Sequence, residues 1–195
     1  MCVESSDPTT WVSDDINVTK AMAYIKQLNE QNPDVHITIT HLVAHALALG
    51  LHEIRQHVGY LLLGQFSSAE QIGLTCLVNL NEGKDLAPVT LFDAHNLTVA
   101  EYARQCTAHV ERVKAKKDSD HNHRNQVARQ IPTFLLQWVI TVASYLTMNM
   151  GLSLTPLGLR KNTLGHCIMT NIGSLKIKKA FAPISFRAPM LFAVG

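Results

Sequence analysis

The stretch "CIMTNIGSL", residues 167–175, sets a hydroxyl and an amide, Thr170 and Asn171, at the end of an apolar run, with Gly173 two residues on. A hydroxyl at a strand end beside a glycine turn can be aimed into a cleft. There it can donate a hydrogen bond to an oxygen that gains negative charge during acyl transfer. The plainer account is a turn in which Thr170 bonds its own backbone and Asn171 supports the turn. From these residues alone the plainer account is the stronger.

Other groups offer chemistry less well. His41 and His45 have the i, i+4 spacing of a metal pair, but no glutamate follows His41 as a general base, and no third ligand is suggested. Capping and packing in a crowded helix account for them, and no metal is expected. "DSDHNH", with His121 and His123, has a metal-tract composition but lies in a polar stretch that reads as a solvated loop. His166 and Cys167 are adjacent in a strand, so their side chains point to opposite faces and cannot form a nucleophilic pair. "NEGKD" is a turn with Gly83 at the positive-φ position, and no helix start follows it to cradle a phosphate. GxGxxG, a Walker loop and HExxH are all absent from the sequence.

The elements that must position these residues read as follows. Trp11 to Ile16 is a candidate edge strand. "NVTKAMAYIKQLNEQNPD" is an amphipathic helix with Ala21, Ile25 and Leu28 on one face, ended by Asn32-Pro33. "HITIT" alternates as a strand does, and Thr40 then caps a second helix, "HLVAHALALGLHEIRQH", apolar nearly all round and so central. "YLLLGQF", "QIGLTCLVNL" and "LAPVTLFD" are strands. "LTVAEYARQCTAHVERVKAKK" is the clearest helix. Thr98 and Glu101 form its capping box, Leu97 is placed for a staple, and Val99, Tyr102, Cys106, Val110 and Val113 share a face. The polar break "KKDSDHNHRNQ" separates it from an uncharged helix, then "LGHCIMTN" is a strand and "AFAPISFRAPMLFAVG" a strand or hairpin leading to the end. This is a mixed α/β or α+β fold with a central sheet.

Composition narrows the class. Charged residues make up 16% of the 195, against a usual share of roughly 25%. Hydrophobic residues reach 47%, so the chain packs a large core or hides surface in a partner, and self-association is expected. A net charge of +2 without a basic run gives no nucleic-acid footprint. Cys2, Cys76, Cys106 and Cys167 lack CxxC spacing and fit free thiols in a reducing compartment. The start, "MCVESSDPTTWVSDD", is neither a signal peptide nor a transit sequence, so the cytoplasm is expected, or the mitochondrion if a presequence lies upstream. From Gln130 to Leu159 no charged residue occurs, long enough for a membrane span. Gln137, Thr141, Ser144, Thr147 and Asn149 interrupt it at helical spacing, which favours a buried helix over an anchor through 131–154.

Order and wording together carry a resemblance. "INVTKAMAYIKQLNE", "ITITHLVAHALALGL", "QIGLTCLVNLNEGKDLAPVTLFDAHNLTVAEYARQ" and "IMTNIGSLKIKKAFAPISFRAPMLFAVG" succeed one another over about residues 11–195. The chain resembles the catalytic domain of 2-oxoacid dehydrogenase acyltransferases, the E2 components, with their chloramphenicol-acetyltransferase-like fold. The last stretch is the most specific, similar to the family's T/S-N-x-G, then F-x-P-I, P and A-V-G.

The resemblance implies a CoA-dependent acyltransferase whose central mixed sheet is flanked by helices, with residues 1–10 a tail and 11–195 the domain. It implies transfer of an acyl group between a dihydrolipoyl thiol and coenzyme A, in a homotrimer or larger homo-oligomer with active sites between subunits. Thr170 matches the family's oxyanion donor, with Asn171 and Gly173 shaping its turn. The family's general base is the histidine of H-x-x-x-D-G, downstream of the A-V-G strand, and none of the ten histidines here is followed by that motif. A lipoylation lysine of the D-K-A type and a peripheral-subunit-binding segment are also not found. The apolar ending "MLFAVG" reads as a sheet with its C-terminal strands cut short. The alternatives are a non-catalytic E2-like homologue for assembly or acyl-CoA binding, and a membrane-associated protein.

Overall fold

The computed structural model describes residues 10–80, 85–112, 138, 141–142, 145–146, 150–151, 164–173 and 190–195. Helix α1 spans Thr19–Gln31, α2 spans Ile39–Glu53, and a third helix, α3, runs through 99–112. The strands are β1 (Gly59–Leu62), β2 (Gln65–Ser68), β3 (Gly73–Leu80), β4 (Asp85–Phe92), β5 (Cys167–Asn171) and β6 (Met190–Val194). β1 and β2 form a separate antiparallel hairpin. The other four make a mixed sheet in the order β4-β3-β5-β6, with β3 antiparallel to β4 and parallel to β5, and β5 parallel to β6.

Strand alternation divides the sheet into two faces. Leu74 and Cys76 of β3, Val89 and Leu91 of β4, and Cys167 and Met169 of β5 share the main core with Ala44, Ala48 and Leu51 of α2 and Tyr102 and Cys106 of α3. The small residues Ala44 and Ala48 let α2 lie close against the sheet. Full burial of each large side chain here is worth roughly 1.5–3 kcal/mol. A second cluster, Ile25, Val35, Ile37, Val99, Ala100 and Ala103, packs α1 and the α1–α2 connection against α3.

α1 ends where Asn32 takes the Leu28 carbonyl, just before Pro33. The connection to α2 is closed by the Asn29 amide, which donates to the Ile37 carbonyl at 2.9 Å and accepts the Ile37 N–H at 2.8 Å. Arg104 of α3 clamps the same connection from outside. Its guanidinium reaches both Asp34 carboxylate oxygens at 2.6 and 3.0 Å and Asn32 Oδ1 at 3.0 Å. α3 starts on the expected capping box: Glu101 accepts the Thr98 N–H at 2.7 Å, and Thr98 Oγ1 accepts the Glu101 N–H at 3.2 Å.

Three sequence expectations are corrected. Trp11 to Ile16 is not an edge strand. Its residues are exposed and irregular, and among the described residues no strand pairs with them, so the alternating pattern has no ladder to join. "HITIT" is not a strand either. Ile37 is held by Asn29, α2 begins at Ile39, and the N-cap is Thr38 rather than Thr40. "YLLLGQF" is two strands, since Leu63 (φ 50°) and Gly64 (φ 81°) turn the chain back between β1 and β2.

Most of "NEGKD", the break holding His121 and His123, Val113, Cys2 and nearly all of the uncharged segment 130–159 lie outside the described residues. No helix among the described residues is long and apolar enough to cross a membrane.

Candidate functional site

β5 carries the candidate residues, and its neighbours decide where they point. Cys167 and Met169 face the helices, so Asn171, of the same parity, does too, and Ile168 and Thr170 face away. Asn171 behaves accordingly: its Nδ2 donates to Thr40 Oγ1, in the first turn of α2, at 2.7 Å. The amide therefore ties the strand end to a helix 131 residues earlier in the chain. Turn support was expected of Asn171; the bond that its amide makes is to α2.

Thr170 lies on the opposite face, half-buried, between Leu77 of β3 and Ala193 of β6. Several threonines elsewhere in the described structure have side-chain partners. Thr75 bonds Thr90 and the Leu164 carbonyl, each at 2.7 Å, Thr107 donates to the Ala103 carbonyl at 3.0 Å, and Thr98 caps α3. The Thr170 hydroxyl makes no hydrogen bond among the described residues and is not sealed from solvent. Among the described residues it does not make the bond to its own backbone that the plainer account expected.

Past Asn171 the Ile172 N–H donates to the Val194 carbonyl at 2.8 Å. A Cβ on Gly173 would lie 3.2 Å from the Gly195 carbonyl carbon and 3.3 Å from Asn171 Oδ1. Glycine is thus the residue that lets the backbone at 173 lie close to Gly195 without crowding the Asn171 amide.

The histidines near this core have structural roles. His41 Nδ1 accepts the Thr38 N–H at 3.2 Å, and the ring packs edge-on against Tyr102. Burial, with His36 nearby, pushes it below the ordinary imidazole range. His45 Nε2 donates to the Leu97 carbonyl at 2.7 Å, which joins α2 to the start of α3. His166 is 2% exposed, its Nδ1 accepts the Gly73 N–H at 3.2 Å, and its ring packs against Tyr60. Its Cys167 neighbour points into the core instead. Among the described residues no group of three His, Cys, Asp or Glu side chains could hold a metal ion.

The thiols are equally uninvolved. Cys76, Cys106 and Cys167 are free and buried in the main core, and the Tyr102 hydroxyl lies 3.0 Å from the Cys76 sulfur. Burial raises all three, Cys106 and Cys167 to about 12, so none is a thiolate near neutrality. Thr40 is the residue that the sequence reading assigned to another task. Its signal lay in the spacing of Thr38 and His41, which cap α2 by themselves and leave Thr40 free for Asn171.

No family model matches the chain, and no curated protein matches its sequence. In three dimensions it is similar to the cubic core of the pyruvate dehydrogenase multienzyme complex, with TM-score 0.58 and 15% identity, over 91% of this chain and 58% of that one. It is similar to the dihydrolipoamide acetyltransferase of Azotobacter vinelandii to the same degree, with TM-score 0.58 and 14% identity over 91% of this chain and 58% of the other. In that enzyme a serine, a histidine and an asparagine have been investigated for their role in the catalytic mechanism. The chain spans little more than half the length of these neighbours. Its helices and mixed sheet have the fold of an acyltransferase catalytic domain.

Proposed function

We propose that this chain is an E2-type acyl-transfer domain in which Thr170 donates a hydrogen bond to the oxyanion of a thioester-exchange intermediate. The observation that carries the reading is the Thr170 hydroxyl itself. It is half-buried at a strand end, without a hydrogen-bond partner among the described residues, while its neighbour Asn171 is locked to α2.

The chemistry runs as follows. A dihydrolipoyl thiol loses its proton and attacks the carbonyl carbon of acyl-CoA, forming a new C–S bond and placing negative charge on the carbonyl oxygen. Thr170 O–H donates to that oxygen. Collapse breaks the bond to the CoA sulfur, which leaves as thiolate and takes up a proton. A hydroxyl already aimed at the developing charge stabilises the intermediate without reorganising at the moment of reaction.

His41, His45 and His166 hold structural bonds, and no histidine of the chain lies in an H-x-x-x-D-G motif. The transfer reading therefore takes its base from outside these histidines, and general-base help is worth about 10²–10⁴-fold. Assembly as a homotrimer or larger homo-oligomer is supported by the low charge content of 16% and by likeness to a protein that forms a cubic core.

The test is acetyl transfer from acetyl-CoA to dihydrolipoamide, followed by formation of S-acetyl-dihydrolipoamide. Thr170→Val loses about 10²–10³-fold in kcat, the usual cost of an oxyanion donor, and Thr170→Ser retains most of it. A valine variant as fast as the wild type overturns the assignment. The histidine pattern favours a second reading, an acyl-CoA-binding or assembly homologue without turnover. Tight acetyl-CoA binding with transfer no faster than the uncatalysed exchange selects it.

A further inference from the structure

We infer that a cavity between the β1–β2 hairpin and the start of β3 is a binding site for a small, uncharged aromatic amide, whose carbonyl accepts the Nε2–H of His166. The inference does not rest on the transfer reading, because His166 immediately precedes β5, at the other end of that strand from Thr170. The cavity measures about 260 Å³, with His166, Tyr60 and Leu62 of β1 and Phe92 of β4 among its walls.

His166 fixes the polar contact. The residue is 2% exposed, and its other polar atoms are all used within the protein. Its backbone N–H donates to the Gly73 carbonyl at 2.6 Å, its carbonyl accepts the Met190 N–H at 3.3 Å, and Nδ1 accepts the Gly73 N–H at 3.2 Å. A neutral imidazole that accepts at Nδ1 carries its proton at Nε2. Burial holds the ring below the ordinary imidazole range, which keeps it in that neutral form near pH 7. Nε2 has no hydrogen-bond partner among the described residues and is not sealed from solvent. The ring is held in place as well: Tyr60 packs against it with ring centroids 5.0 Å apart, and the Tyr60 O–H donates to the Gly165 carbonyl next door. A fixed donor without a protein partner, on so buried a side chain, calls for an acceptor from elsewhere.

The rest of the lining sets the ligand's shape and charge. Tyr60, Leu62 and Phe92 offer apolar walls. A cavity of about 150 Å³ admits a benzene ring, so this one has room for a ring and one small polar group. Ser68 and Gln71 line the same space and carry oxygens that can accept from an amide N–H₂. Glu70 is the formally charged residue among the described lining, and its carboxylate repels an anion. A carboxylate of the same shape is therefore disfavoured.

The experiment titrates the full chain with benzamide, benzoate and toluene, followed by NMR of the histidine ring nitrogens and the backbone amides. The free protein is expected to show His166 protonated at Nε2. Benzamide is expected to shift that signal and the Ser68 and Gln71 amides along one saturable curve, with toluene and benzoate weaker by about three- to tenfold, the span of one hydrogen bond. His166→Asn keeps an acceptor for the Gly73 N–H and removes the Nε2 donor. It is expected to weaken benzamide by a similar factor and leave toluene unchanged. In Glu70→Gln the gap between benzamide and benzoate narrows. A His166 signal that benzamide does not move overturns the inference, as does benzamide binding no tighter than toluene or equally well to a folded His166→Asn. Should that variant not fold, the comparison of benzamide with toluene in the wild type decides alone. An unchanged gap in Glu70→Gln overturns the choice of an uncharged ligand.

Discussion

Asn29→Ala tests the most closely bonded link in the chain of contacts that leads to the site. The Asn29 amide satisfies both backbone groups of Ile37, at 2.8 and 2.9 Å, and Ile37 is 1% exposed. Alanine removes both bonds and leaves a buried N–H and a buried carbonyl with no side-chain partner. An unsatisfied buried group costs about 1–3 kcal/mol, and water entering the truncated site recovers part of this, so a loss of about 2–4 kcal/mol follows. For a domain of this length that corresponds to a fall in Tm of roughly 5–15 °C. Asn29→Asp separates the two bonds. The carboxylate still accepts the Ile37 N–H, but it loses the donor and sets negative charge against the Ile37 carbonyl, so it is destabilised at neutral pH as well. Urea denaturation followed by circular dichroism measures both variants. A loss below about 0.5 kcal/mol for Asn29→Ala, within the range of an ordinary surface substitution, refutes the claim that this amide closes the connection.

Other expectations follow from the same structure. Leu63 holds φ 50° while 69% exposed, so Leu63→Asn relieves left-handed strain of about 1 kcal/mol with little burial lost, and Tm rises by about 2–4 °C; a lower Tm counts against the turn geometry. Burial depresses His41 and His166, so the folded state keeps both neutral while the unfolded chain protonates them near the ordinary 6.5. Below that pH the unfolded state binds more protons, and stability falls with pH until the folded pKa values are passed. His166→Asn, which retains an acceptor for the Gly73 N–H, should flatten that decline in urea titrations between pH 7 and 5, and an unaltered slope contradicts the assignment. Cys76, Cys106 and Cys167 are expected to resist iodoacetamide at pH 8 in the native protein and to react after unfolding. Native labelling of any of them, mapped by peptide mass, removes it from the core.

The helices were legible because their signals are local. Ile25 and Leu28 recur at helical spacing before Asn32-Pro33, and Thr98 with Glu101 writes out a capping box. β3 and β4 follow each other as an apolar pair, and their antiparallel register needs nothing from elsewhere in the chain. The hairpin of β1 and β2 was not legible, because leucine at Leu63 carries none of the usual preference for positive φ. "HITIT" misleads for a related reason. Alternation at Ile37 and Ile39 is equally compatible with a strand and with a bonded lead-in to a helix, and a side chain eight residues back, Asn29, decides between them. At the site, residue type pointed to Thr170 and family wording strengthened it. The direction of its side chain needed the sheet, and the Thr40 bond to Asn171 needed the tertiary fold.

The placement of β5 also bears on how the molecule comes to be folded. Gly73 and His166 meet across 93 residues of sequence, and β5 enters the sheet parallel between β3 and β6. Closing so long a loop costs chain entropy before any contact is gained, and parallel non-local pairing is slow for that reason. The β3–β4 hairpin can pair early, yet it carries none of the candidate chemistry. Thr170 acquires its neighbours and its direction only when the last long-range pairing is complete. A synthesis or refolding reaction stopped short of that step yields no partial site, and appearance of the site marks the end of folding.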